Sequence, residues 1–470
     1  MVAAVRHGVP EPRWEIEEGS PSDLHGYENA SISRPLLYKN VAKDSKIQTI
    51  MLATLFAMVW LAFTCGVSFS GQGEAVAADS AGIRRLWAQY SPWFAADEYR
   101  RPPSTCHITQ VNILQRHGAR FPTTSAGTRI QTAVRKLQAA PAFADPRLSF
   151  LRNFTYNLGT EDLVPFGAAE SFSAGEIAFK RYAHLVTPDQ LPFVRFSLAS
   201  HHVYSPKLSV ILSEEGNDTL DDSMCPSAGS SDAQTTQWLN VFYPAVTARL
   251  NKAAPGANLT TTDTYNLISL CPFDTAARNG RQSPFCEIFD REEFRGFEYS
   301  GDLDKFYNTG YGQELGPVQG VGYINELIAR LKRIPVVDHT QTNRTLDGDP
   351  ATFPLDRAIY ADFSHDNQMI AIYAALGLFK QERSLDPLHM DPRPSRTWVT
   401  SRLVPFGARM VVEKLACGDG GEEFVRILVN DAVQPLDFCG GGELCSLDAF
   451  IESQAFARND GQGDFGKCFQ

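Results

Sequence analysis

The sequence predicts an α/β fold, with an open sheet interrupted by a mainly helical insertion and preceded by one transmembrane helix. Three observations carry this. Ile108–Gln115 (ITQVNILQ) alternates like a strand and runs into Arg116-His117-Gly118. Ala358–Phe363 (AIYADF) is a second β-rich run, ending at Ser364-His365. Asp366 or Asn367 then opens an apolar helical segment, NQMIAIYAALGLF, with Gly377 near its end. Between the two strands lies an insertion of roughly 200 residues with helical patterns such as Val321–Ile334 (VGYINELIARLKRI), long enough for a second domain. Ligands of open α/β sheets bind beyond the carboxyl ends of the strands, so both histidines fall where a site is expected.

Composition narrows the function. Of 470 residues, 43% are hydrophobic and 21% charged, as in globular proteins. Lys and Arg number 43 against 54 Asp and Glu, a formal net charge of −11. That balance excludes a nucleic-acid binder relying on bulk positive charge, and it sits awkwardly with a polyanionic substrate. No G-x-x-x-x-G-K-[ST] loop and no G-x-S-x-G occur, which disfavours a nucleotide-dependent kinase and a serine hydrolase.

Residues 1–46 are polar, with four prolines, and read as a disordered cytosolic tail. Residues 47–70 read as a transmembrane signal-anchor. Its apolar heart, Ile50–Phe69, is 20 residues and rises about 30 Å, enough to cross a bilayer core. Arg34, Lys39, Lys43 and Lys46 precede it and Glu74 and Asp79 follow, which makes a single-pass type II protein with its bulk lumenal or extracellular. The competing reading is a signal peptide cleaved after Ala75-Val76-Ala77, giving a secreted protein. Against it stand the 46 leading residues and an apolar run longer than the usual ~7–15. Residues 71–82 form a linker, and 83–470 the outer domain, with a core of about 83–125 and 318–470 and an insertion of about 126–317.

Nine cysteines is an odd number, and the anchor accounts for it, because Cys65 lies inside. The eight others permit four disulfides in an oxidising compartment, with the pairing left open by spacing. No C-x-x-C pair occurs, so a structural zinc site is not expected, and the sequence calls for no cofactor. Sequons at Asn153, Asn217, Asn258 and Asn343 agree with passage through the secretory pathway.

The chemistry lies in two motifs. Arg116-His117-Gly118-Ala119-Arg120 sets two guanidinium forks, which match phosphate oxygens, on either side of an imidazole. Such a histidine can attack phosphorus through a ring nitrogen, and Gly118 would let the loop backbone approach the ligand. Asp366 is a general-acid candidate for the departing alkoxide; its other reading is a helix cap. Arg6-His7-Gly8 repeats the tripeptide in the tail but has neither the second arginine nor a strand leading in.

With these motifs the chain resembles the histidine acid phosphatases, and within them the fungal phytases. Arg116–Thr123 (RHGARFPT) corresponds to the family's R-H-G-x-R-x-P loop and Tyr360–Asn367 (YADFSHDN) to its H-D motif. Leu86–Pro92 (LWAQYSP), Leu163–Gly167 (LVPFG), Cys271–Asp274 (CPFD), Leu315–Leu331 and Val425–Leu436 extend the likeness over about 83–470. The resemblance implies a phosphoglycerate-mutase-like α/β sandwich with a smaller helical inserted domain. It implies an acid phosphomonoesterase acting on small phosphate monoesters, phytate among them, through a phosphohistidine. By position His117 would be the nucleophile, Asp366 the proton donor, and Arg116, Arg120 and His365 phosphate ligands. The disulfides implied are Cys106–Cys417, Cys225–Cys468, Cys271–Cys286 and Cys439–Cys445.

Two departures bear on activity. The family's third phosphate-binding arginine stands in a segment reading roughly S-G-S-x-R-V. Here Pro192–Arg195 (PFVR) matches the approach and Ser205–Leu212 resumes the pattern, with only FSLASHHVY between. Either the coding sequence across 196–204 is in error, or the deletion is genuine and the protein is a catalytically impaired homologue. The rim is also thin in basic residues: Arg129 alone supplies charge in Thr124–Gln131, and Lys305 stands beside Asp304 where a lysine pair is expected. A thin rim points to a broad-specificity acid phosphatase; ordinary helix-surface charge is the other reading of both residues.

Overall fold

The computed structural model describes residues 82–197, 209–212, 217–390 and 396–470, all within a unit spanning Ser70–Gln470. The tail, the anchor 47–70, Cys65 and nearly all of the linker lie outside the described residues. So do His201 and His202. Among the described residues no helix is long and apolar enough to cross a membrane.

In chain order, β1 (Cys106–Arg116) leads to α1 (Thr124–Gln138) and α2 (Pro165–Tyr182), then to β2 (Phe193–Ser197) and β3 (Ser209–Leu212). A helical stretch follows: α3 (Asp232–Ala253), α4 (Thr261–Ala277), α5 (Arg291–Asn308) and α6 (Val321–Lys332). Then come β4 (Ile359–Ser364), α7 (Asp366–Leu376), β5 (Arg409–Cys417), β6 (Glu422–Val429), β7 (Ala432–Val433) and β8 (Cys445–Ser446). The sheet order is β3-β2-β4-β1-β5-β6-β7, with β8 also pairing β6. Strands β3, β2, β4 and β1 run parallel, whereas β5 is antiparallel to β1 and β6 to β5.

The pleat explains the two cores. On one face Leu114, Met410, Val412, Val425 and Ile427 join the large cluster formed with the helices. On the other, Val111, Ile113, Val411, Leu415 and Leu428 pack with Tyr182 at the end of α2. The mixed α/β class is as expected. Within the segment 126–317, read from the sequence as a mainly helical insertion, β2 and β3 are strands that join the sheet. Phe193-Val194-Arg195-Phe196 is a short β-rich run that pairs with β4, Phe193 opposite Tyr360, and so extends the sheet. Only the flanking parts of that segment are helical.

Four disulfides join Cys106 to Cys417, Cys225 to Cys468, Cys271 to Cys286 and Cys439 to Cys445, the pairs implied by the resemblance. Asn153, Asn217 and Asn258 are exposed, whereas Asn343 is half-buried and caps a short helix by accepting from the Leu346 amide.

A buried ion network locks α6 to the parallel strands. Arg195 Nε donates to Asp362 Oδ1 at 2.7 Å and Arg195 Nη2 to Glu326 Oε2 at 2.6 Å, while Arg330 Nη1 reaches Asp362 Oδ2 at 2.5 Å. Burial pushes the Asp362 carboxyl up, but Arg195 and Arg330 outweigh it and bring it down to about 2. Removing one member strands its partners without water. Arg195→Leu is therefore expected to destabilise the protein by about 3–5 kcal/mol, read as a lower midpoint of chemical denaturation. A midpoint unchanged by the substitution would mean that the network adds nothing.

Candidate active site

The site follows from strand register. In the β1/β4 pair Arg116 lies opposite Ser364, so Arg116-His117 and His365-Asp366 leave the sheet side by side. The His117 and His365 rings have centroids 5.6 Å apart. His365 is the N-cap residue of α7, and Gly377 closes the helix in the left-handed region at φ 88°.

His117 is 8% exposed, and its Nδ1 lies 2.8 Å from the carbonyl of Gly118. That carbonyl can only accept, so Nδ1 carries the proton and Nε2 keeps a lone pair. Burial, then Arg116, Arg120 and His365, hold the imidazole well below its ordinary range, which leaves it neutral in the empty site. Burial first also lowers His365.

Arg116 is 1% exposed and held on several sides. Its Nη1 donates to the carbonyls of Gln89 and Val404, the latter at 2.7 Å, and its Nη2 lies 3.2 Å from Asp366 Oδ2. The guanidinium carbon sits 4.7 Å above the Phe406 ring centroid. Its Nε has no hydrogen-bond partner among the described residues. Arg120 is half-buried and donates to the Phe121 carbonyl at 2.9 Å.

Asp366 does not cap α7. Its Oδ2 instead faces Arg116 and, at 3.1 Å, Lys305 Nζ. Burial raises this carboxyl, yet Arg116 and Lys305 overcome that and hold it well below the carboxylate range. Lys305 is thus not helix-surface charge. It is 5% exposed, donates to Asn367 Oδ1 at 2.6 Å and lies 3.3 Å from Asp304. Burial works against its charge, but Asp366 and Asp304 more than compensate and raise its pKa. Arg129 does stay exposed, on α1.

Gly118 has a different task from the one expected. A Cβ there would lie 2.1 Å from the Gly167 carbonyl oxygen, and one on Gly167 would lie 1.9 Å from that of Ala119. The two glycines let the Arg116–Arg120 loop press against the Leu163–Gly167 segment, backbone to backbone. Sequence reasoning also missed Glu170, which accepts from the amides of Ala119 (2.8 Å) and Trp93 (3.0 Å) and so holds the loop. It missed Asp222 too, within reach of Lys305 and Asp366. Neither carries a local signal, and only tertiary contact gives each a role.

These features bring a neutral histidine, a buried arginine and a carboxylate together at the ends of two parallel strands, and similarity identifies the family. The family model for the histidine phosphatase superfamily (branch 2) matches residues 107–201 and 196–430, two segments that meet at the FSLASHHVY stretch. Phytase A of Aspergillus oryzae is 37% identical over 427 aligned positions, which take in 83% of this chain and 91% of that protein. Phytase A of Arthroderma benhamiae is 38% identical, with 81% and 91% covered. The crystal structure of the phytase from D. castellii aligns with a TM-score of 0.64 at 24% identity, covering 80% of this chain and 85% of that one, a likeness of fold. The chain belongs to the histidine phosphatase superfamily, branch 2. It is a phosphoric monoester hydrolase of the histidine acid phosphatase kind.

Several buried carboxyls bear on its working pH. Burial is the largest cause in raising Glu170 and Asp218 to about 7, Asp222 to about 6, and Glu298 and Asp347 to about 8. An unfolded chain releases such protons near pH ~4, so between roughly pH 4 and 8 the folded state binds more protons and stability must fall as pH rises. The lowered His117 and His365 oppose this up to about pH 6.5 and the lowered Asp362 and Asp366 only below about pH 4, and the five raised carboxyls outweigh the two imidazoles. The melting temperature is expected to be higher at pH 5 than at pH 8; a flat or rising profile over that interval would contradict the assignment.

Proposed function

We propose that the enzyme hydrolyses phosphate monoesters, phytate among them, through a phosphohistidine on His117. The observation that carries this reading is the buried, neutral His117, its Nδ1 occupied by Gly118 and its flanks by Arg116 and Asp366. Nε2 attacks phosphorus as the P–O ester bond breaks, and the leaving alkoxide takes the proton of Asp366. Water then attacks the phosphohistidine, the Asp366 carboxylate accepts its proton, the P–N bond breaks, and inorganic phosphate is released. Arg116, Arg120 and His365 bind the transferring phosphoryl group.

The acid must be protonated when substrate is bound, although Arg116 and Lys305 keep it ionised in the empty site. A phosphate dianion against Arg116 adds negative charge beside Asp366 and raises its pKa. Both effects place the optimum on the acid side. The phytase activity for which the relatives are named supports phytate as a substrate. Against a strong preference for it stand Asp304 and Asp222 beside Lys305, which add negative charge where a polyphosphate would need positive. Four disulfides and four sequons support a lumenal or extracellular catalytic unit. Retention by the 47–70 segment and release after Ala77 are separated by N-terminal sequencing of the mature enzyme.

His117→Ala is expected to abolish phosphate release from both phytate and an aryl phosphate at acidic pH; parental activity in that variant would refute the nucleophile. Asp366→Asn should cost far more on phytate than on the aryl ester, whose leaving group departs without a proton. Equal losses would remove Asp366 as the acid. Lys305→Met withdraws a cation from Asp366, raises its pKa, and should move the alkaline limb of the pH–rate profile upward. A limb that stays in place would separate Lys305 from the acid. A transcript restoring an S-x-x-x-R-V stretch across 196–204 would end the impaired reading; one reading FSLASHHVY would establish the deletion.

A further inference from the structure

One face of α5 supports much of the site. Glu298, Gly301, Asp302 and Lys305 stand at i, i+3, i+4 and i+7, a single helical stripe. Lys305 meets Asp366, and Asp302 Oδ1 accepts from the Thr400 amide at 2.6 Å. Glu298 is 3% exposed and is not part of the chemistry described above. Its Oε2 accepts from the Ala88 amide at 2.6 Å and its Oε1 from the Ser401 amide at 2.9 Å.

Those two amides belong to the two segments that hold Arg116. Ala88 precedes Gln89, whose carbonyl accepts from Arg116 Nη1, and Ser401 lies in the short helix Thr400–Leu403, which ends at Val404, the other acceptor. One carboxyl group thus spans the gap between the two carbonyls on which the guanidinium rests. Ala88 also has φ 51°, in the left-handed region, a conformation unfavourable for alanine that persists only where the surroundings impose it. Gly301 makes room for it, since a Cβ there would lie 2.3 Å from the Ala88 Cβ.

We propose that Glu298 is a positioning residue of the phosphate site, fixing the two backbone acceptors that aim Arg116. The inference rests on the reading of Arg116 as a phosphate ligand. In Glu298→Gln an NH2 replaces one oxygen and faces an amide N–H, so one of the two segments loses its anchor. The full-length enzyme, Glu298→Gln, Arg116→Lys and the double variant are compared by calorimetric titration with inorganic phosphate, with melting temperatures recorded alongside. Glu298→Gln is expected to weaken phosphate binding on the order of tenfold when Arg116 is present. It should have no further effect when Arg116 is already Lys. An equal loss in both backgrounds, or no loss in a folded Glu298→Gln, overturns the proposal. Wild-type phosphate affinity in Arg116→Lys instead overturns the reading of Arg116. Should Glu298→Gln not fold, Glu298→Asp, which keeps the carboxyl group but draws the oxygens back by one methylene, carries the same comparison.

Discussion

The parallel pairing of β1 with β4, with Arg116 opposite Ser364, is the constraint on which the rest of the molecule depends. Each strand delivers a reactive segment from its carboxyl end, and the sheet spacing of about 5 Å between neighbouring strands brings the two together. The rest of the fold serves to hold this pair. Arg195 and Arg330 clamp β4 through Asp362, and Arg195 reaches on to Glu326 of α6. On the other side β5 pairs with β1 along nearly its whole length, and the Cys106–Cys417 disulfide closes the far end of that ladder.

Charge at the site is balanced over a few ångströms rather than over the molecule. A net charge of −11 repels phosphate at long range, whereas Arg116 attracts it at contact, where burial weakens solvent screening. Arg116 and Lys305 share the single carboxylate of Asp366, so an incoming phosphate competes with that acid for the same cations. The competition ties substrate binding to proton uptake. It makes a depressed carboxyl in the empty enzyme compatible with acid catalysis in the complex.

Arg195 shows why sequence proximity is a poor guide to a ligand. It is the arginine nearest the FSLASHHVY stretch, where the family carries a phosphate-binding arginine. Yet its Nε and Nη2 are committed to Asp362 and Glu326 at 1% exposure, and releasing it would leave two buried carboxylates unpaired. Arg195 is therefore unavailable as a phosphate ligand, and on the proposed reading the burden falls on Arg116 and Arg120. Glu298 and Glu170 support that burden from beneath, each accepting from two backbone amides and each pushed up by burial.

The strands before His117 and His365, helices α6 and α7, and the residue types at the two motifs were legible along the chain. Each depends on local periodicity or on a contiguous string of side chains, which any reader of the sequence meets in order. The four disulfide pairs were legible only through family likeness, since spacing leaves them open. Strand β2 escaped notice because its apolar run is short and sits among helical patterns. Lys305, Gly118, Gly167, Glu170 and Glu298 gained their roles from contacts across tens to hundreds of residues. Lys305 read as a rim lysine or as surface charge, because nothing local indicates that α5 turns that face toward Asp366. Sequence order determines which groups are present and what chemistry they can do. Close approach in the packed fold decides which of them are charged, which are aimed, and by what.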